Sequence, residues 1–265
     1  KIIKFKNNIA CVVLEPSTKN CPYISKNDIN CCGVYPCKKD FKKNNFLIEV
    51  QNLCRENKII FILDEMITGF RWNLYGAQNI YNVDPDISTF GKGMANGYPL
   101  SAVVGSNEVM QKVEDIFFSG TFGGETLSLA AANIIIEKHK EQQITKHLFE
   151  VGTYLLEQLN QLINDKNLNG IFWTSGHPSW SFLHIKEQGE YNFFEIKTFL
   201  LQEMFKAGIL TLGSHNMSFS HTKEDIDQLL VVYQKVLPMV KYHIDNQTLL
   251  ENIQGEMLEP LFKVR

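Results

Sequence analysis

The first two fifths of the chain alternate between apolar strand-like segments and a helical pattern. Four short segments predict β-strands, namely residues 9–14, 59–63, 86–90 and 101–105. The first two are apolar throughout, which predicts strands that are buried on both faces. Residues 45–57 carry apolar side chains at helical spacing, and the polar stretch 17–43 predicts an irregular loop. Strands that alternate with helices favour a parallel sheet with helices on its faces.

The remainder of the chain changes character. The predicted helices are 127–142, 145–165, 194–207 and 222–241, and the predicted strands are 171–174, 179–185 and 209–212. Thr222 and Asp225 predict a capping box at the start of the last helix. This order of elements indicates a smaller α+β domain that begins near residue 140.

Composition and charge narrow the class of protein. Of 265 residues, 44% are hydrophobic, and 29 acidic against 26 basic residues give a net charge of −3. This balance argues against a protein that binds nucleic acid or an anionic membrane by charge. The apolar run 59–63 is far shorter than the ~20 residues that span a bilayer. No apolar stretch follows the basic first residues, so no signal peptide is expected, and we predict a soluble cytoplasmic protein.

Six cysteines raise the question of a zinc site or disulfides. Four of them cluster at Cys21, Cys31, Cys32 and Cys37, but the cluster contains no Cys-x-x-Cys pair and its spacing suits zinc poorly. A chain of this length needs no disulfide framework. We therefore predict reduced thiols and no metal site.

Asp64 and Glu65 follow the apolar segment 59–63 directly. A buried carboxylate at the end of a strand can bind a metal, act as a base or hold a protonated heterocyclic nitrogen. An apolar strand followed by Asp-Glu is also typical of the Walker B motif of ATPases. The partner motif Gly-x-x-x-x-Gly-Lys-Ser/Thr is missing from the sequence, so the ATPase hypothesis is weak.

Lys92 lies between Gly91 and Gly93, just after a predicted strand. A lysine that is partly buried there would have a lowered pKa and could act as an amine nucleophile. Taken alone, the Gly-Lys-Gly pattern is more typical of an exposed turn lysine.

Several segments together resemble the class III aminotransferases, which are pyridoxal-phosphate enzymes of fold type I. They are, in chain order, residues 62–71, 85–86, 91–93 and 119–125. They occur in the order of the family, and the 28-residue separation of Asp64 and Lys92 agrees with it. The likeness is greatest to the glutamate-1-semialdehyde aminomutase branch and its relatives in surface-polysaccharide gene clusters. It implies an α/β fold: the C-terminal half of the large, mainly parallel-sheet domain over residues 1–140, and a small α+β domain over residues 141–265.

The resemblance also implies roles for four residues. Lys92 would form the Schiff base with pyridoxal phosphate and move a proton, and Asp64 would hold the protonated ring nitrogen. Met66 would lie against the face of the ring. Thr121 would bind the cofactor phosphate from the neighbouring subunit of a homodimer whose cofactor site lies at the subunit interface. Because Lys92 can move the proton itself, structural roles are expected for His215 and His221.

The implied reaction transfers an amino group from a small-molecule donor to an aldehyde or keto carbon, in surface-polysaccharide or amino-sugar-type metabolism. Ile67 stands where many ω-amino-acid transaminases have glutamine, which favours the semialdehyde branch. One alternative is therefore glutamate-1-semialdehyde 2,1-aminomutase. The glycine-rich phosphate turn and stacking aromatic of the family precede the strand that ends at Glu15, so a C-terminal fragment is expected. A non-catalytic truncated module is the second alternative.

Overall fold

A computed structural model describes residues 1–17 and 45–260 of the chain. The predicted loop after Ser17 and the cluster of four cysteines lie outside the described residues. The two cysteines that are described, Cys11 and Cys54, are free thiols.

The described strands are β1 (Cys11–Leu14), β2 (Ile60–Asp64), β3 (Ile87–Phe90), β4 (Ala102–Gly105), β5 (Phe172–His177), β6 (Trp180–Ile185) and β7 (Ser214–Asn216). The described α-helices are α1 (Ile2–Phe5), α2 (Phe46–Glu56), α3 (Ala77–Tyr81), α4 (Asn107–Met110), α5 (Thr126–Gln142), α6 (Ile144–Asp165), α7 (Phe193–Lys206) and α8 (Lys223–Asp245). None of these helices is long and apolar enough to cross a membrane.

The chain divides into two compact units after Phe149, within α6. The first contains a four-stranded sheet in the order β1-β2-β3-β4, and the second a three-stranded sheet in the order β5-β6-β7. The assignment of residues 1–140 and 141–265 to the two domains of the family stays a prediction.

The sheet of the first unit is mixed rather than wholly parallel. Strands β1, β2 and β3 are parallel, whereas β4 runs antiparallel to β3. The connection between β3 and β4 has 11 residues, 91–101, and includes the short turn Lys92–Met94. A parallel neighbour needs a crossover of a dozen or more residues, so a connection of this length returns the chain antiparallel.

Helix α2 packs against β2 and buries one face of the sheet. The buried residues of the helix are Leu47, Val50, Gln51 and Cys54, and Phe61 and Leu63 are buried on the strand. Along β1, exposed residues alternate with half-buried ones, and Val13 is 54% exposed. The prediction that β1 is buried on both faces is therefore wrong, since one face of this edge strand is exposed among the described residues. Strand β2 has no exposed residue and alternates buried with half-buried ones.

The second unit is α+β, with its antiparallel sheet packed on α7. The predicted strand at 209–212 is wrong, since the third strand is β7, which begins at Ser214. Leu210 and Leu212 point into solvent, whereas buried His215 pairs with Ser181 in the ladder. The capping box of Thr222 and Asp225 is confirmed, and helix α8 extends four residues beyond the predicted end, to Asp245.

Candidate active site

Two neighbouring parallel strands place the candidate residues at one edge of the sheet. Asp64 is the last residue of β2 and pairs with Thr89 of β3. Lys92 follows the end of β3 by two residues. The carboxyl ends of parallel strands are where α/β proteins bind their ligands, so the topology itself brings Asp64 and Lys92 to the functional edge.

The Asp64 carboxylate is half-buried and held in one orientation. Its Oδ1 accepts the backbone N–H of Met66 at 3.0 Å and the hydroxyl of Thr89 at 3.1 Å. Its Oδ2 accepts no hydrogen bond from residues 1–17 or 45–260. A fixed carboxylate with one open oxygen suits a protonated ring nitrogen, because the charged acceptor strengthens that hydrogen bond.

Glu65, the second carboxylate of the pair, has a structural role that the sequence did not reveal. It is fully buried, and it accepts the hydroxyl of Thr68 and the backbone N–H groups of Ala77 and Gln78, the last two at 2.8 and 2.7 Å. Burial raises the pKa of Glu65, although these hydrogen bonds oppose the shift. Helix α3 begins after Gly76, which has no side chain to cap it. Because Gly76 cannot cap the helix, its first N–H groups need an acceptor from another part of the chain. This is the one signal in the sequence for the role of Glu65.

Lys92 begins a short 3-10 turn and is exposed. The partial burial that would favour a nucleophilic amine is therefore not observed in the described structure. Its backbone lies in the left-handed region, with φ of 43°. A residue with a side chain avoids this conformation unless its surroundings impose it, and such residues cluster at functional sites.

Met66 lies against the backbone that leads into Lys92. A Cβ atom built on Gly91 would lie only 2.5 Å from Met66 Cε and 2.8 Å from its Sδ. Glycine at position 91 therefore lets the methionine side chain approach the chain just before the lysine. The structure thus gathers Asp64, Met66 and the start of the lysine turn around one edge of the sheet.

Thr121 lies in a different, exposed segment that precedes α5. The hydrogen bonds of the described residues include none that joins Thr121 to Asp64, Met66 or Lys92. Large apolar side chains near Thr121 are strongly exposed, among them Phe117 at 96%, Phe118 at 76% and Phe122 at 60%. Contiguous exposed apolar surface is typical of sites that contact a protein, a membrane or a ligand.

His215 and His221 both belong to the second unit. His215 lies in β7, and His221 lies just before α8. His215 of β7 is buried, and its ring nitrogens bond Ser181 Oγ at 3.0 Å and Tyr233 Oη at 2.8 Å. Burial lowers the pKa of His215 to about 4. His221 Nδ1 accepts the N–H of Ser218 at 3.2 Å. These contacts support the predicted structural roles.

Comparison with known proteins identifies relatives over most of the chain. A model of the class-III aminotransferase family matches residues 3–237. Glutamate-1-semialdehyde 2,1-aminomutase of Francisella tularensis subsp. tularensis strain WY96-3418 is 27% identical over 246 residues, which cover 88% of this chain and 53% of the relative. The enzyme of the same name from Clostridium acetobutylicum is 28% identical over 251 residues, covering 88% of this chain and 55% of the relative. The chain thus spans about half the length of the curated relatives it matches.

Solved structures show the same fold. A structure titled as a transaminase with PLP bound superposes with a TM-score of 0.74 at 18% identity, covering 92% of this chain and 55% of the other. Acetylornithine aminotransferase from Elizabethkingia anophelis gives a TM-score of 0.70 at 23% identity, covering 90% and 56%. The predicted fold class is confirmed, as is the resemblance to a family whose cofactor is pyridoxal phosphate. The chain belongs to the class-III aminotransferases.

Proposed function

We propose that this protein uses pyridoxal phosphate to transfer an amino group between a small-molecule amino donor and an aldehyde or keto carbon. The observation that carries the proposal is the oriented carboxylate of Asp64 with its open Oδ2, one strand away from Lys92. Charge and chemistry agree with the cofactor, because a carboxylate suits a ring cation and a primary amine suits an aldehyde. The intact pair favours an enzyme over a non-catalytic module.

Each residue of the chain would have a separate task. When bound, the cofactor supplies an aldehyde and an electron-withdrawing ring. Asp64 Oδ2 would keep the proton on the ring nitrogen, and Met66 would contact one ring face. The Lys92 amine would hold the cofactor and, once released by an incoming amine, would carry a proton between the amine-bearing carbon of the substrate and carbon C4′ of the cofactor.

Thr121 would bind the phosphate of the cofactor in a second copy of the chain. The exposed Phe117, Phe118 and Phe122 support this homodimer, because contact between two copies would remove their surface from water. The free thiols of Cys11 and Cys54 fit the reducing cytoplasm in which we place the protein.

Intramolecular amine exchange on glutamate-1-semialdehyde is a second candidate. The curated relatives that cover most of this chain bear the name of that aminomutase. Ile67, half-buried beside Met66, provides an apolar side chain where a glutamine would offer hydrogen bonds. The broader proposal of amino transfer includes both reactions, and a link to amino-sugar-type metabolism stays a prediction.

A borohydride trap tests the role of Lys92. We expect reduction of the holoprotein to attach the cofactor covalently to Lys92, as read by peptide mass spectrometry. Lys92→Ala should abolish the adduct, whereas Lys112→Ala, a change to another exposed lysine of the same unit, should not. An adduct mapped to a different lysine would refute the assignment.

Asp64→Asn tests the role of the carboxylate. The amide keeps the shape of the side chain but cannot stabilise a ring cation by charge. We expect bound cofactor with turnover reduced by about 10³-fold, which corresponds to ~4 kcal/mol for an electrostatic contact in an active site. Asp84→Asn, at an exposed carboxylate of the same unit, is the control. Turnover near that of the unaltered protein in Asp64→Asn would exclude the proposed role.

A further inference from the structure

We propose that Thr89 is a positioning residue that fixes the orientation of Asp64. The inference rests on the proposed function, since it concerns the carboxylate that would hold the ring nitrogen. Neither the sequence patterns nor the resemblance pointed to Thr89. The position of Thr89 in the sheet, directly beside Asp64, indicates this role.

The ladder between β2 and β3 sets the geometry. Thr89 is the pairing partner of Asp64, and its carbonyl oxygen accepts the N–H of Glu65 at 3.0 Å. Its hydroxyl donates to Asp64 Oδ1 at 3.1 Å. The backbone bond holds the two strands in register, so the hydroxyl is presented to the carboxylate at a fixed place.

Two donors then share one oxygen of Asp64. Oδ1 accepts both the Thr89 hydroxyl and the Met66 N–H, and Oδ2 is left open to a ligand. Removal of the hydroxyl would leave only the Met66 N–H to hold the side chain. The carboxylate would rotate more freely and would present Oδ2 to the ring nitrogen for less of the time.

The orientation of Asp64 bears directly on the cofactor. A carboxylate that faces the ring nitrogen stabilises the ring cation, because the hydrogen bond to a charged acceptor is strong. If Oδ2 faces the ring nitrogen for less of the time, we expect a less protonated ring.

Ser88 offers a matched control on the same strand. Successive side chains of a strand point to opposite faces, and the Ser88 hydroxyl donates to Gln78 Oε1 at 2.9 Å. Ser88→Ala therefore removes one hydroxyl hydrogen bond of similar length from β3 without touching Asp64. If the loss of such a bond acted only on the stability of β3, the variants at Ser88 and at Thr89 would show the same effect.

The experiment uses pyridoxal phosphate labelled with ¹⁵N in the ring, bound to the full chain and observed by NMR. In Thr89→Val, which keeps the size and branching of the side chain, we expect the ring resonance to move toward that of neutral pyridine. The dissociation constant for the cofactor should rise about tenfold or more, as expected for loss of a hydrogen bond to a charged group. Thr89→Ser should restore both values, and Ser88→Ala should change neither. Thr89→Ala gives the same readout if the valine variant fails to fold.

The outcomes separate the two proposals. A shifted resonance in Thr89→Val with recovery in Thr89→Ser supports the inference. An unmoved resonance in that variant, with a clear shift in Asp64→Asn, overturns the inference and leaves the proposed function standing. An unmoved resonance in Asp64→Asn overturns the role of Asp64 and the inference together. Equal shifts of the ring resonance in Thr89→Val and Ser88→Ala would also overturn the inference about Thr89.

Discussion

Replacement of Glu65 by glutamine should destabilise the first unit strongly. The carboxylate is fully buried and accepts three hydrogen bonds, from the Thr68 hydroxyl and from the N–H groups of Ala77 and Gln78. Those two amides begin helix α3, which lacks a side-chain cap of its own. Glu65 therefore ties the end of β2 to the helix that follows the loop carrying Met66.

The size of this loss of stability follows from the number of hydrogen-bond acceptors that the side chain offers. Glutamine has one side-chain oxygen, so its amide group must face a buried N–H or hydroxyl that previously had an acceptor. A buried polar group that loses its partner costs about 1–3 kcal/mol. The orphaned protein donor and the new amide together predict a loss of about 2 kcal/mol or more in the free energy of unfolding. The chain has little space to adjust, since a Cβ atom on Gly76 would lie 2.6 Å from Glu65 Oε1.

Urea denaturation can measure this loss in the first unit alone. Trp72 is buried there, whereas Trp173 and Trp180 belong to the second unit. With the last two replaced by phenylalanine in every sample, Trp72 fluorescence reports the first unit. At a slope of about 2 kcal/mol per M, Glu65→Gln should lower the midpoint by about 1 M.

Glu125 provides the control. Its carboxylate also caps a helix, α5, and accepts the N–H groups of Leu127 and Ser128, both at 2.8 Å. It is not buried, so water can replace the acceptor lost in Glu125→Gln, and we expect a smaller shift of the midpoint. If Glu65→Gln lowers the midpoint no more than Glu125→Gln does, burial of the clamp contributes nothing and the reasoning is wrong.

Two further predictions concern His215 and Gly91. Because burial lowers the pKa of His215 from 6.5 to about 4, only the unfolded chain gains a proton as pH falls between these values. The free energy of unfolding should therefore drop by about 3 kcal/mol from pH 7 to pH 4, at ~1.4 kcal/mol per pKa unit, and His215→Asn should flatten this slope in pH-dependent urea titrations. Gly91→Ala should displace the flexible end of Met66, weakening cofactor binding severalfold in a titration while changing unfolding by less than about 1 kcal/mol. Unchanged cofactor affinity would show that Met66 does not contact the ring.

The local patterns of the chain predicted most of its elements. Apolar periodicity located α2, β2 and the long helices α5 to α8 to within a few residues, because each must bury one face against a sheet or another helix. The capping box at Thr222 is likewise a local matter of hydrogen bonding between side chain and backbone. The motifs around Asp64 and Lys92 were sufficient to indicate the family, which the match over residues 3–237 confirms.

Tertiary structure decided which of the two adjacent carboxylates, Asp64 or Glu65, keeps an oxygen free of hydrogen bonds from the described residues. Asp64 and Glu65 are adjacent in sequence, but they point to opposite faces at the end of β2 because side chains alternate along a strand. One meets the Thr89 hydroxyl and leaves an oxygen open, whereas the other caps α3 in a buried contact. Neither partner is recognisable from spacing, since Thr89 lies 25 residues from Asp64 and Ala77 lies 12 residues from Glu65. The antiparallel direction of β4 and the exposed edge at β1 were also decided by pairing between distant segments, which local periodicity does not encode.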